Sequence, residues 1–171
     1  VTRDIAKSFN SVYGQEVFPM PEGYTPPEVA TVPGTDGQKM SKSYNNTITM
    51  FEPEKKLRKT IMGIKTDSLG VDDPKDPDTC NVYKLFSLFA SDSQKNDLAA
   101  RYRKGGLGYG TAKQELFELL LETFKGPREE REKLQNDLGH VKAVLKSSAK
   151  KARSIAEATI QEVRDLSGLG F

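Results

Sequence analysis

The sequence predicts a mainly α-helical protein: a bundle of about five helices preceded by a short mixed α/β piece. Two observations carry that reading. From Glu52 to the C-terminus, apolar residues recur at three- and four-residue spacing, the period of a helix that buries one face. Before that point, residues 19–37 hold five prolines (Pro19, Pro21, Pro26, Pro27 and Pro33), which fix φ, remove donors and exclude a long helix.

Taken in order, Thr2 to Tyr13 reads as a helix, with Ile5, Phe9 and Val12 on one face, Thr2 as N-cap and Gly14 as its stop. Glu16-Val17-Phe18 and Val29-Ala30-Thr31-Val32 are short strand candidates. A helix starts at Glu52, with Pro53 in its first turn, and ends at Gly63. After an acidic connection, Asp78 or Thr79 can cap a helix carrying Val82, Leu85, Phe86 and Phe89. Ser91 or Ser93 can start the next, which runs through Leu98 and Tyr102 to Gly105-Gly106. Thr111 to Lys125 is strongly helical; Gly126-Pro127 breaks or kinks it, and Arg128 to Leu138 continues. The last helix, Val141 to Leu166, sets Leu145, Ala149, Ala152, Ile155, Ala156, Ile160 and Val163 along one stripe.

Composition excludes several function classes. With 171 residues, 36% hydrophobic and 29% charged, the chain fits a globular protein large enough to bury a core. No apolar run is long enough to cross a membrane as a helix, and no signal-type segment opens the chain, so a cytoplasmic protein is expected. One cysteine, Cys80, and one histidine, His140, exclude an internal disulfide and a Cys/His zinc site, and a Ser-His-Asp arrangement is not expected. The chain begins at Val1 rather than Met, which suggests an excised piece of a longer protein.

Chemistry concentrates in Gly37-Gln38-Lys39-Met40-Ser41-Lys42-Ser43-Tyr44-Asn45-Asn46. Two lysines three apart place two mobile ammonium groups and two hydroxyls in one tight turn, and Gly34, Asp36 and Gly37 supply turn-forming residues ahead of it. Such a loop suits a polyphosphate, because lysine acts as a compact point charge that can follow phosphoryl oxygens. On charge alone a solvated surface loop is the simpler reading.

Lys39-Met40-Ser41-Lys42-Ser43 resembles the complete signature pentapeptide of class I aminoacyl-tRNA synthetases. The flanking residues resemble tryptophanyl-tRNA synthetases in particular: Thr2-Arg3-Asp4-Ile5-Ala6 with Phe9-Asn10, Thr66-Asp67-Ser68, Gly108-Tyr109-Gly110 with Lys113, and Gly168-Leu169-Gly170. The resemblance implies that residues 1–48 trail a Rossmann-like catalytic domain and that residues 49–171 form the helical domain that meets the tRNA anticodon arm. It implies ATP-dependent ligation of tryptophan to tRNA through an aminoacyl-adenylate, with magnesium accompanying ATP although no dedicated carboxylate site is evident. Lys39 and Lys42 would neutralise the triphosphate as pyrophosphate leaves. Ser41 and Ser43 would give hydroxyl or backbone contacts, Met40 would set the loop's position, and Val32 would approach the adenine through its backbone.

The family's second signature, a His-x-Gly-His-type turn, does not occur in this chain, nor does its Gly-Glu-Asp-Gln-type segment. The chain is therefore expected to be a C-terminal portion that is inactive by itself. The family is homodimeric through the other domain, so this piece is expected to be able to stand as a monomer. The alternatives are a piece of a tyrosyl-tRNA synthetase and a non-catalytic helical RNA-binding module.

Other clusters are weighed against ordinary structural roles. Lys142, Lys146 and Lys150 share a helix face that could meet RNA phosphates, or could simply be solvated. Tyr102-Arg103-Lys104 could stack on and attract RNA, though a favourable helix end explains them equally. Glu54, Lys55, Lys56, Arg58 and Lys59 read as a solvated face, and Asp72, Asp73, Asp76 and Asp78 as a capped loop without the calcium-loop pattern. Cys80 reads as packed and His140 as a residue at a helix start.

Overall fold

The computed structural model describes residues 1–26 and 31–170. Among these residues there are seven α-helices and a 3₁₀ turn at Lys42–Tyr44. The helices are α1 (Thr2–Tyr13), α2 (Glu54–Met62), α3 (Asn81–Ser87), α4 (Asp92–Lys104), α5 (Tyr109–Thr123), α6 (Lys125–Asn136) and α7 (Leu138–Ser167). The mainly helical class is as the sequence predicts; α1 lies in the leading piece, and the stretch read as continuing after Gly126-Pro127 is a helix of its own, α6. Among the described residues the only β pairing is an antiparallel bridge between Pro33 and Lys39. None of the helices is long and apolar enough to cross a membrane.

The helix boundaries follow from caps and breakers. Ser91 starts α4 with a reciprocal capping box, its hydroxyl accepting from the Gln94 amide while the Gln94 side chain accepts from the Ser91 N–H. Gly63 ends α2 as the sequence suggests, but Pro53 stands at the cap and not in the first turn, so α2 starts at Glu54. Likewise Thr2 is already helical in α1, which Val1 precedes without a side-chain cap. The third helix is capped at Cys80 rather than at Asp78 or Thr79, because those residues form a turn of their own, in which Asp76 accepts from the Asp78 N–H. Gly126-Pro127 does not stop a helix. It sits in the first turn of α6, where a proline lacks no bond, and the break falls at Phe124.

By packing, the chain divides into two compact units, Val1–Tyr24 with Glu132–Phe171, and Thr25–Arg131. In the first, the segment 16–18 is not a strand. Asn10 of α1 holds it instead, its carbonyl oxygen accepting from the Val17 and Phe18 amides (both 3.1 Å) and its amide donating to the Phe18 carbonyl (2.7 Å). The Phe18 ring meets Phe9 edge-on at 5.2 Å. A side chain thus satisfies the backbone groups that a neighbouring strand would otherwise take.

In the second unit the core is built from Leu57, Ile61, Ile64, Val82, Leu85, Phe86, Leu98, Tyr102, Ala112, Leu116 and Leu120, all buried. α2 packs on α5, and α3 packs on α4 and α5. Ile48 belongs to this same core, so packing continues through residue 48 into the helices. The other strand candidate, 29–32, lies partly outside the described residues; Thr31 and Val32 are not in a strand.

Candidate nucleotide-binding loop

The lysine-bearing loop is a small hairpin braced from within. The Gly34 amide donates to the Gln38 carbonyl at 2.7 Å and the Met40 amide to the Val32 carbonyl at 2.9 Å. Gly37 turns the tip with φ of 85°, where an L side chain would be strained. The hairpin is anchored from below. The Lys65 amide donates to the Thr35 carbonyl at 2.7 Å, and Val32, Met40 and Met50 pack partly buried against the helical core. After Met40 the chain enters the 3₁₀ turn, where the Ser41 hydroxyl accepts from the Ser43 amide. Asn45 closes the turn with φ of 52°, a left-handed position that asparagine tolerates better than most residues.

Asn46 is the internal brace, only 2% exposed. Its side-chain oxygen accepts from the Ser41 amide at 2.8 Å, and its amide donates to the Lys39 carbonyl at 3.2 Å and to Asp36 at 2.8 Å. The Asn46 carbonyl accepts from the Thr35 amide. Gly34 must be glycine for this arrangement, since a Cβ there would lie 2.4 Å from the Asn46 side chain and 2.7 Å from its carbonyl oxygen. Asp36 also accepts from the Gln38 amide at 3.0 Å. The hydrogen bond from Asn46, with the Gln38 amide and the charge of Lys65 assisting, holds the Asp36 carboxyl below its usual pKa of 3.8. These contacts favour the ionised form. Their stabilising effect is complete above the usual carboxylate range and is lost as pH falls through the lowered value.

Lys39 and Lys42 stand on this brace with exposed side chains, and among the described residues neither ammonium pairs with a carboxylate. Ser43 is exposed, Ser41 half-buried, and Met40 anchors the backbone between the two lysines. The Val32 carbonyl is already engaged by Met40, which leaves its second lone pair for a ligand. Lys142, Lys146 and Lys150 are all exposed on α7.

Some side chains behave otherwise than sequence alone suggests. Tyr102 is fully buried against Tyr83 and Tyr109, so it is not available to stack on RNA. Its hydroxyl accepts from the Cys80 thiol at 3.4 Å, and burial raises its pKa, as it does that of Tyr109. The acidic connection is wrapped around a lysine. Lys75, 3% exposed, donates to the carbonyls of Gly70 (2.6 Å), Asp73 (2.9 Å) and Val71 (3.2 Å). Among the described residues no group of three or more His, Cys, Asp or Glu side chains is placed to hold a metal ion.

Sequence reasoning missed Asn46, Lys75 and Arg128, whose guanidinium donates to the carbonyls of Met50 and Glu52. For Asn46 a signal existed: a small polar residue placed after a turn, with glycines on the opposite arm, fits a side chain that replaces backbone partners.

A family model describing the class I tRNA synthetases (W and Y) matches residues 1–125. The chain belongs to that family. Two relatives narrow the likeness: the tryptophan–tRNA ligase of Fusobacterium nucleatum is 47% identical and that of Rhodopirellula baltica 46%, each over 169 residues. Both alignments cover 99% of this chain and 52% of the relative, so the chain spans about half the length of the curated relatives it matches. Among solved structures, the tryptophanyl-tRNA synthetase of Campylobacter jejuni, crystallised with ADP and tryptophan, superposes with a TM-score of 0.81 at 46% identity, covering 98% of this chain and 52% of that one. The Mycoplasma pneumoniae enzyme, at 22% identity and a TM-score of 0.66, shares the fold.

Proposed function

We propose that this chain supplies the loop-bearing half of a cytoplasmic tryptophan–tRNA ligase. In that reading residues 1–48 complete a nucleotide-binding domain and residues 49–171 form the helical domain that meets tRNA. The single observation carrying the mechanism is the pair of exposed, unpaired ammonium groups of Lys39 and Lys42 on a hairpin braced by buried bonds. The tryptophan carboxylate attacks the α-phosphorus of ATP, the bond to the β-phosphate oxygen breaks, and pyrophosphate leaves. Negative charge then builds on the departing oxygens, which is where two positioned lysines lower the barrier. Met40, packed on the core, fixes the backbone between them, while Ser41 and Ser43 offer hydroxyls and Val32 a carbonyl to the nucleotide. A hydroxyl of the terminal ribose of tRNA then attacks the carbonyl carbon of the resulting adenylate, taking the tryptophanyl group as an ester while AMP leaves. Partners outside this chain complete the reading: the histidine-signature half, the tryptophan pocket, and a second subunit.

The test is tryptophan-dependent pyrophosphate exchange by the intact ligase. Lys39→Ala and Lys42→Ala are each expected to lower the activation rate about 10²–10³-fold while leaving tRNA binding intact. An unchanged rate in both variants rules out the catalytic assignment of the loop. Exchange driven by tyrosine instead of tryptophan would move the chain to the sister enzyme. Lost tRNA binding with normal exchange would instead favour the RNA-binding module.

A further inference from the structure

We infer that Asn46, together with Asp36, is a positioning residue for amino-acid activation, setting where Lys39 and Lys42 stand; this rests on the reading of the loop given above. The two backbone atoms that bracket Met40, the Lys39 carbonyl and the Ser41 amide, are both bonded to the one Asn46 side chain. Each lysine is therefore at most one residue from an atom that Asn46 holds. The third bond, from the Asn46 amide to Asp36, fixes which way the carboxamide faces: oxygen to Ser41, nitrogen to Lys39. Asp36 in turn holds the Gln38 amide, next to Lys39. The side chain is buried and the lysine ammonium groups are exposed, so Asn46 acts on the reaction through backbone geometry rather than by touching the nucleotide.

Three neighbours leave no slack in this arrangement. Gly34 lies against the Asn46 carboxamide, the Thr35 amide bonds the Asn46 carbonyl, and the Lys65 amide bonds the Thr35 carbonyl. A change at position 46 is therefore transmitted to residues 39–41 instead of being absorbed by a loose loop. Displacing a catalytic charge by about 1 Å costs on the order of 10²-fold in rate, which sets the size of the expected effect.

The experiment compares variants of the intact ligase in tryptophan-dependent pyrophosphate exchange, well below their unfolding midpoints. Asn46→Ala is expected to lower kcat about 10- to 100-fold with KM for tryptophan unchanged, and Asp36→Ala to lower it less. Asn46→Asp removes the donor and sets two carboxylates together, so it is expected to be as damaging as Asn46→Ala. The exchanged pair Asp36→Asn with Asn46→Asp restores the donor–acceptor match between the two side chains and keeps the acceptor for the Ser41 amide, but not the donor to the Lys39 carbonyl, so it should recover only part of kcat. A purely structural role would lower the unfolding midpoint without this rescue and without a selective loss of kcat. Wild-type kcat in Asn46→Ala, alongside loss of activity in Lys42→Ala, overturns the inference and spares the loop reading. Wild-type kcat in Lys42→Ala and Lys39→Ala as well overturns both. Should Asn46→Ala fail to fold, Asp36→Ala at an exposed position and the exchanged pair decide the matter by the same readouts.

Discussion

Lys75 shows how one side chain can organise a whole connection. Its ammonium occupies the centre of a turn made by residues 70–73, taking three carbonyls, while its own amide donates to the Tyr102 carbonyl at 2.8 Å. The nitrogen also lies 5.4 Å from the centroid of the Tyr109 ring. Lys75→Met keeps the aliphatic volume but strands these carbonyls. It is expected to destabilise the protein by about 2 kcal/mol or more, seen as a lower urea midpoint. In the sequence, Lys75 is an unremarked cation among four aspartates; burial of its charge is decided by backbone carbonyls that no side-chain pattern displays. Asn46 is a parallel case in the loop, a buried amide whose partners come from residues 36, 39 and 41.

At the scale of elements, α7 separates periodicity from burial. Its thirty residues show the apolar stripe read from the sequence, yet Leu145 is 64% exposed, Ile155 76% and Ile160 44%, and no residue of α7 is buried. Periodicity makes the helix and arranges its faces, but covering a face takes a partner element. On its polar side the row Lys142, Lys146 and Lys150 is open to solvent. If that row meets tRNA phosphates, replacing all three lysines by glutamine in the intact ligase weakens tRNA binding and flattens the salt dependence of its affinity. The slope of log K against log salt should fall by roughly 2–3. An unchanged slope assigns the row to solvent. By contrast the Gly14 end of α1, the Gly63 end of α2 and the Ser91 cap of α4 are legible, because a cap or breaker is a local interaction contained within a few residues.

On the scale of the molecule, packing and sequence motif draw different divisions. The compact units are residues 1–24 with 132–171, and residues 25–131, whereas the motif-based reading proposes a functional boundary after residue 48. Ile48 and Met40 explain why the loop behaves mechanically as part of the helices: both pack on the core that Leu57, Leu116 and Leu120 build. The loop's lysines are thus tied to a rigid base, although the proposed chemistry draws on residues outside this chain. From this follows an expectation for the 171 residues alone: no tryptophan-dependent pyrophosphate exchange. Measurable exchange by the purified chain would show that the loop and helices suffice.

The order of the amino acids by itself determined the helical class, most helix ends, and the pentapeptide whose two cations suit an anionic ligand, since each depends on residues close together in the chain. Tertiary contacts alone decided that Lys75 is buried, that Tyr102 is hidden from any base, that segment 16–18 is held by Asn10 and not by a strand, and that Asn46 sets the backbone beneath both lysines. The physical reason is common to all four. A polar group withdrawn from water must find partners, and which partners lie within about 3 Å is settled only when the chain has folded.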